Sequence, residues 1–263
     1  MTNFTPLDPG RISRYFDEFA VEQLKTYFNS GTFAGGQFER FAGGGDRAET
    51  ANQFTCDDVV AVSFLGENLP GLVAIEILED EYGEIGDLLS QIPVGVDLWD
   101  VPEETIGPDS PAWELERYLS ELPGISPFGA GKLLARKRPR LIPAYEKAVR
   151  NSLERRDEDG WWLPLHDVLA SRPPLVRAIA ELREQTELGE DISLLRVIYV
   201  CIWMRAYGRP DVAPDASTES GRHVRRILPI SANAPSAEEG SGSAVTAPRG
   251  RSRSTHFTSP PRP

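Results

Sequence analysis

Apolar side chains in this chain recur at three- and four-residue spacing between recognisable helix caps and glycine or proline stops, and strand-like alternation is scarce. Ile12, Tyr15, Phe16, Phe19, Leu24, Tyr27 and Phe28 mark a first helix over 12–28, which Asn29-Ser30-Gly31 ends. Thr55-Cys56-Asp57-Asp58 reads as a capping box opening a helix to about Leu65. Ser110-Pro111 supplies a cap followed by proline at a first helical position. The same period predicts helices over 70–82, 84–91, 110–121, 126–137, 142–156, 163–170, 174–187 and 192–207. The windows between them are short, as in a compact helical domain. The expected fold is therefore all-α, a compact multi-helix domain over 10–207. The Gly- and Phe-rich stretch 31–54, with Phe33, Phe38 and Phe41 around Gly35-Gly36 and Gly43-Gly44-Gly45, predicts a small β-hairpin or an irregular loop. After Gly208 come eight prolines and few large apolar groups, so 208–263 is expected to be a disordered tail.

Several function classes fall away on composition. Cys56 and Cys201 are far apart in helical contexts, which argues against a disulfide scaffold and a four-thiolate metal centre. Two of the three histidines, His223 and His256, lie in the tail. His166 alone makes neither a metal cluster nor a histidine-based triad, so no metal and no cofactor are expected. The first residues show no basic-then-apolar leader. The most apolar segment, 192–207, is too short and too charged to span a bilayer. No membrane partner and a cytoplasmic location are expected.

Charge is distributed unevenly. The net charge is −12, yet the signs segregate. Residues 57–121 hold 17 acidic groups and one basic, whereas 132–156 hold nine basic and two acidic. Two regions of opposite sign either neutralise one another or leave a basic footprint for a polyanion. Between them runs Leu122-Pro-Gly-Ile-Ser-Pro-Phe-Gly-Ala-Gly-Lys-Leu-Leu134. Pro123-Gly124 breaks the preceding helix, Gly124 being free to take a left-handed backbone. Ser126 is a candidate N-cap and Pro127 suits the next helical position. The free N–H groups of that helix start form a candidate anion site. Candidate phosphate-contacting residues are Gly124, Ile125, Ser126, Lys132, Arg136, Lys137, Arg138 and Arg140. A phosphate-loop reading of Gly124-x4-Gly129 fails, because the lysine is displaced, no Ser/Thr follows it and no strand precedes it.

The 122–134 segment resembles the helix-hairpin-helix motif, Leu-Pro-Gly-Ile-Gly-x-x-Thr-Ala-x-x-Leu-Leu, with Ser126 and Gly129 departing from it. Downstream, Tyr145-Glu-Lys-Ala-Val-Arg150 is similar to the segment of helix-hairpin-helix DNA glycosylases that carries a catalytic acid. Glu146 lies 18 residues beyond Phe128, the hairpin position where some members place a lysine. The resemblance implies an element over 112–150 that grips duplex DNA through turn N–H groups. It makes Glu146 a candidate catalytic carboxylate for base excision, with no Schiff-base chemistry since Phe128 is not lysine. Lys132 to Pro143, with Phe54-Thr-x-Asp-Asp-Val-Val-Ala-Val-Ser63, looks like an actinobacterial family of unknown function covering most of 10–207. The leading expectation is a non-sequence-specific DNA-binding protein, with glycosylase-like activity as an extension. The alternative is a non-enzymatic helical interaction protein with no nucleic-acid role.

Overall fold

The computed structural model describes residues 4–80, 83–156 and 159–207. The expected disordered tail, 208–263, lies outside the described residues. Eleven α-helices run in order among the described residues: α1 Pro9–Ser13, α2 Ala20–Asn29, α3 Cys56–Ser63, α4 Gly71–Glu79, α5 Glu84–Gln91, α6 Pro111–Glu121, α7 Gly129–Lys137, α8 Lys147–Ser152, α9 Trp162–Ala170, α10 Pro173–Gln185 and α11 Leu194–Tyr207. No strand occurs among them, so the fold is all-α.

The last helix is the axis of the fold. Nearly every residue of α11 is buried, Arg196 included, and it packs against α8, α2 and α10. A helix apolar all round belongs inside a core rather than on its surface. A second group forms as α5 packs on α6, α6 on α7 and α7 on α3. The cap logic holds at α6, where Ser110 Oγ accepts from Trp113 N–H at 3.2 Å ahead of Pro111. At α3 the Asp58 carboxylate accepts from the Thr55 N–H at 2.9 Å and from its hydroxyl at 3.0 Å.

Two helix bounds are corrected, and one alternative is decided. The segment 31–54 takes the irregular form of its two readings and not the hairpin; it contains the 3-10 turns Ala34–Gln37 and Phe41–Gly43. Its glycines instead permit close approach of neighbouring groups: a Cβ on Gly35 would lie 2.1 Å from the Tyr27 hydroxyl, and one on Gly45 2.3 Å from the Arg136 carbonyl oxygen. The helix over 12–28 is two helices, α1 and α2, separated by a turn. The helix over 142–156 shrinks to α8, because Glu146 is in an extended conformation as its N-cap. Residues 143–146 are accordingly not helical, although a proline such as Pro143 is compatible with a first helical turn.

The glycine contacts give a paired prediction. Gly45→Ala drives a methyl into the Arg136 backbone and is expected to cost about 1–3 kcal/mol, the usual range for overpacking. Gly131, inside α7, has nothing within 4 Å of a new Cβ. Gly131→Ala is therefore expected to be stabilising by about 0.5–1 kcal/mol. Urea denaturation of the two variants reads both values.

Candidate functional site: the basic element of α7

Helix α7 begins just beyond a bend. Gly124 has φ +99°, as a left-handed turn requires, and a Cβ there would meet Pro70 at 2.6 Å. Ser126 is not the N-cap of α7; Phe128 is. Ser126 Oγ instead accepts from the Phe128 N–H at 3.2 Å, and its hydroxyl donates to Glu67 Oε1 at 2.9 Å. The Ile125 N–H donates within the bend to the Leu122 carbonyl at 3.2 Å. Glu67 is buried, and its Oε2 would lie 3.2 Å from a Cβ on Gly129. The helix start predicted to receive an anion thus has a carboxylate of the same chain beside it. That placement suits both the partial positive charge of a helix N-terminus and the lysine one turn on.

Four of the five basic residues predicted to face a polyanion point inward. Lys132, Arg136, Lys137 and Arg138 are 3%, 1%, 0% and 1% exposed. Lys132 Nζ donates to the Leu65 carbonyl and to Glu67 Oε1, both at 2.9 Å, and sits 3.4 Å from Glu146 Oε2. Arg136 Nε donates to Asp58 Oδ1 at 3.0 Å, while its terminal nitrogens donate to the carbonyls of Phe38, Glu39 and Phe41. Lys137 Nζ meets Asp58 Oδ2 at 2.5 Å and the carbonyls of Gly45 and Thr50 at 3.0 Å each. Arg138 donates to the carbonyls of Ile92, Ala51, Lys137 and Leu89 and to Asn52 Oδ1. A guanidinium has five N–H donors, of which Arg138 uses all five and Arg136 four. Arg140 alone of the set is exposed; it forms a two-pronged pair with Asp97, one arm at 2.8 Å.

The physical reason for this inward turn lies in the irregular 34–52 segment. Buried carbonyls outside regular helices need donors, and no strand among the described residues pairs with this segment. The last turn of α7 and the residue after it supply those donors as cations, which also suits the negative end of the helix dipole. Burial pushes the Lys137 ammonium below its ordinary range, opposed by Asp58. It lowers Arg138 to about 10 for the same reason.

Glu146, the predicted catalytic carboxylate, is the N-cap of α8 and is mostly covered. Tyr199 is hydrogen-bonded to it, and the Tyr199 hydroxyl is held well above its ordinary value by burial and then by the Glu146 charge. The neighbouring Tyr145 ring stacks on Trp161 at 4.8 Å, with Phe128 edge-on to Tyr145 at 5.9 Å. Trp161 and Trp162 are both buried, as anchors of the core. The bend, Lys132 and Glu146 are thus brought together, but around Glu67 and Tyr199.

Mutual neutralisation of the 57–121 and 132–156 regions was one of the two expectations, and Asp58 and Glu67 realise it, but sequence reasoning singled out neither of them as a counter-charge, and Glu39 lay outside the acidic region altogether. Asp58 was legible only as a capping residue. The available signal was in α7 itself: Lys132, Arg136 and Lys137 are interleaved with Leu133, Leu134 and Ala135, leaving no purely polar face to project into solvent. Glu39 completes the same layer, accepting from the Ser193 N–H and hydroxyl at 2.8 Å each ahead of α11. Burial pushes its carboxyl up to about 7, against the Arg196 charge and the Ser193 hydrogen bonds.

Residues 20–206 match the family described as a family of unknown function, DUF6308. The chain belongs to that family. No curated protein and no solved structure matches the chain. The DUF6308 match spans the whole helical body from α2 to α11. Among the described residues no helix is long and apolar enough to cross a membrane.

Two predictions follow from the buried charges. Asp58→Asn leaves Arg136 and Lys137 without their anion and is expected to cost about 3–5 kcal/mol, the usual penalty for half-removing a buried pair. Glu121→Gln, which removes the exposed Arg117–Glu121 pair, should cost about 0–1 kcal/mol. Glu39 sets a pH dependence. Its folded value of about 7 lies above the ordinary 4.5, so between those limits the native state binds more protons than the unfolded one. Stability contributed at this residue is present below pH 4.5 and falls as the pH rises towards 7. Urea midpoints measured across that window should decline in the parent, and the decline should flatten in Glu39→Gln.

Proposed function

We propose that this domain is a non-enzymatic helical interaction module whose acidic face, carried by α4, α5 and α6, receives a cationic amphipathic segment of a protein partner. The observation that carries this reading is the internal use of the basic element. With Lys132, Arg136, Lys137 and Arg138 buried against Asp58, Glu67 and backbone carbonyls, most of the charge left at the surface of this half of the domain is negative. A cytoplasmic setting is part of the proposal.

The acidic face has a defined centre. Tyr118 of α6 has its hydroxyl raised by burial and then by the charges of Glu76, Glu84 and Asp80, so three carboxylates from α4, its C-cap and α5 act on one hydroxyl. Beside Glu76 on α4, Leu72 and Ile75 are 83% and 52% exposed. Leu72, Ile75, Glu76 and Glu79 share one face at three- and four-residue spacing. An apolar pair bordered by carboxylates suits the apolar and basic faces of a partner helix laid against it.

A second reading keeps the nucleic-acid expectation. Gly124 is exposed at the bend, Lys147 is exposed nearby in sequence, and Glu146 occupies a helix N-cap. It would rest on those groups and Arg140 rather than on the four buried cations.

One experiment separates the readings. Full-length protein is titrated with a fluorescent Lys/Leu amphipathic peptide and with a labelled DNA duplex. The interaction reading expects peptide binding that Leu72→Lys with Glu76→Lys weakens by at least about tenfold, with no duplex binding at 0.1 M salt. Duplex binding whose affinity falls steeply with salt, alongside indifference to the peptide, overturns it.

A further inference from the structure

A second cluster lies where the segment after 3-10 turn Leu98–Asp100 crosses α9. His166 is buried on α9, and its Nε2 lies 2.9 Å from the Val101 carbonyl oxygen. A carbonyl only accepts, so Nε2 carries the proton and donates. In the neutral ring the other nitrogen, Nδ1, then presents a lone pair. Nδ1 faces Asp167 Oδ1 at 3.2 Å. Two electron-pair donors at that separation attract only if a proton or a metal ion lies between them. A third donor stands beside them: one ligand atom each of Glu103, His166 and Asp167 lie within 4.8 Å of one another.

We propose that Glu103, His166 and Asp167 form a site for a divalent transition-metal cation of the zinc class, bound through His166 Nδ1 and one oxygen of each carboxylate. The arrangement has the parts such sites use. The ligating ring is fixed by donating its opposite N–H to a backbone carbonyl, which sets tautomer and orientation before any ion arrives. A tetrahedral ion with bonds of about 2.0–2.2 Å holds its ligand atoms about 3.4 Å apart. The Nδ1–Oδ1 separation of 3.2 Å already has that spacing. Glu103 is exposed, so its side chain has the freedom to close the remaining distance. One imidazole with two carboxylates selects a borderline cation over the hard, all-oxygen preference of calcium or magnesium.

The consequence is a clasp. His166 and Asp167 stand on α9, whereas Glu103 opens the 3-10 turn Glu103–Thr105, and His166 already reaches Val101, 65 positions away in sequence. A bound ion pins that crossing to α9, and three protein ligands leave a fourth position for water or another donor. The site lies outside α4, so its failure and that of the acidic-face reading are separate results.

The test uses the full chain, zinc ion alone and a non-chelating buffer at neutral pH. Isothermal titration is run on the parent, Glu103→Gln, Asp167→Asn and the double variant, since His166→Ala opens a cavity and could unfold the chain. Ring-nitrogen NMR follows Nδ1 of His166. The site predicts saturation at one ion per chain, at least about tenfold weaker binding in each single variant, and a shift of the His166 Nδ1 resonance. Absence of saturable binding, or binding to the tail histidines that the double variant leaves unchanged, overturns it. So does a His166 ring that keeps protons on both nitrogens at saturating zinc, since a simple ion pair with Asp167 would then account for the geometry.

Discussion

Asp58 holds two cations and the start of its own helix with one carboxylate. Its two oxygens receive Arg136, Lys137 and both donors of Thr55. Arg136 and Lys137 in turn spend their remaining donors on carbonyls of Phe38, Glu39, Phe41, Gly45 and Thr50. A segment with neither strand nor long helix is thereby fastened to the core. Charges of opposite sign in the interior are costly to desolvate, and they are tolerated here because each of these cations meets a carboxylate or several backbone carbonyls.

The same arrangement governs what the surface offers. Cations spent inside cannot balance the carboxylates outside, so the half of the domain built from α4, α5 and α6 keeps its negative charge, with Leu72 and Ile75 among it. The chain's unusual charge map is then one fact with two faces: an interior strap and an acidic exterior. The membership in DUF6308 extends over this whole unit, α2 to α11, without attaching an activity to it.

Local signals were legible where local physics decides. Ser110-Pro111 marked the start of α6, the Pro123-Gly124 break marked its end, and the periodicity of 192–207 located α11 within two residues. Boundaries failed where the chain leaves the helix inside a periodic stretch. The 12–28 pattern is interrupted by a turn, and with Glu146 extended the helix after Pro143 starts only at Lys147. The candidate site was legible as a place but not as an orientation. Gly124 does adopt the left-handed backbone, and the bend does bring Lys132 towards Glu146. Sequence spacing could not choose between neutralisation by the acidic region and an exposed basic footprint: Asp58 and Glu67 lie far from α7 along the chain, and a run of Arg and Lys is ordinarily a solvated face. Of the two readings of 31–54, hairpin or irregular loop, the loop is the one the structure has, its glycines admitting Tyr27 and the Arg136 backbone rather than shaping a strand turn.

The central claim, that the basic element of α7 faces inward, is tested most directly by lysine reactivity. The four lysines are Lys25, Lys132, Lys137 and Lys147, of which Lys25 and Lys147 are exposed. Brief acetylation of the native full-length chain, read by peptide mass spectrometry, should modify Lys25 and Lys147 and leave Lys132 and Lys137 intact until denaturant is added. Acetylation of Lys137 at the rate of Lys147 in the native protein would contradict the account.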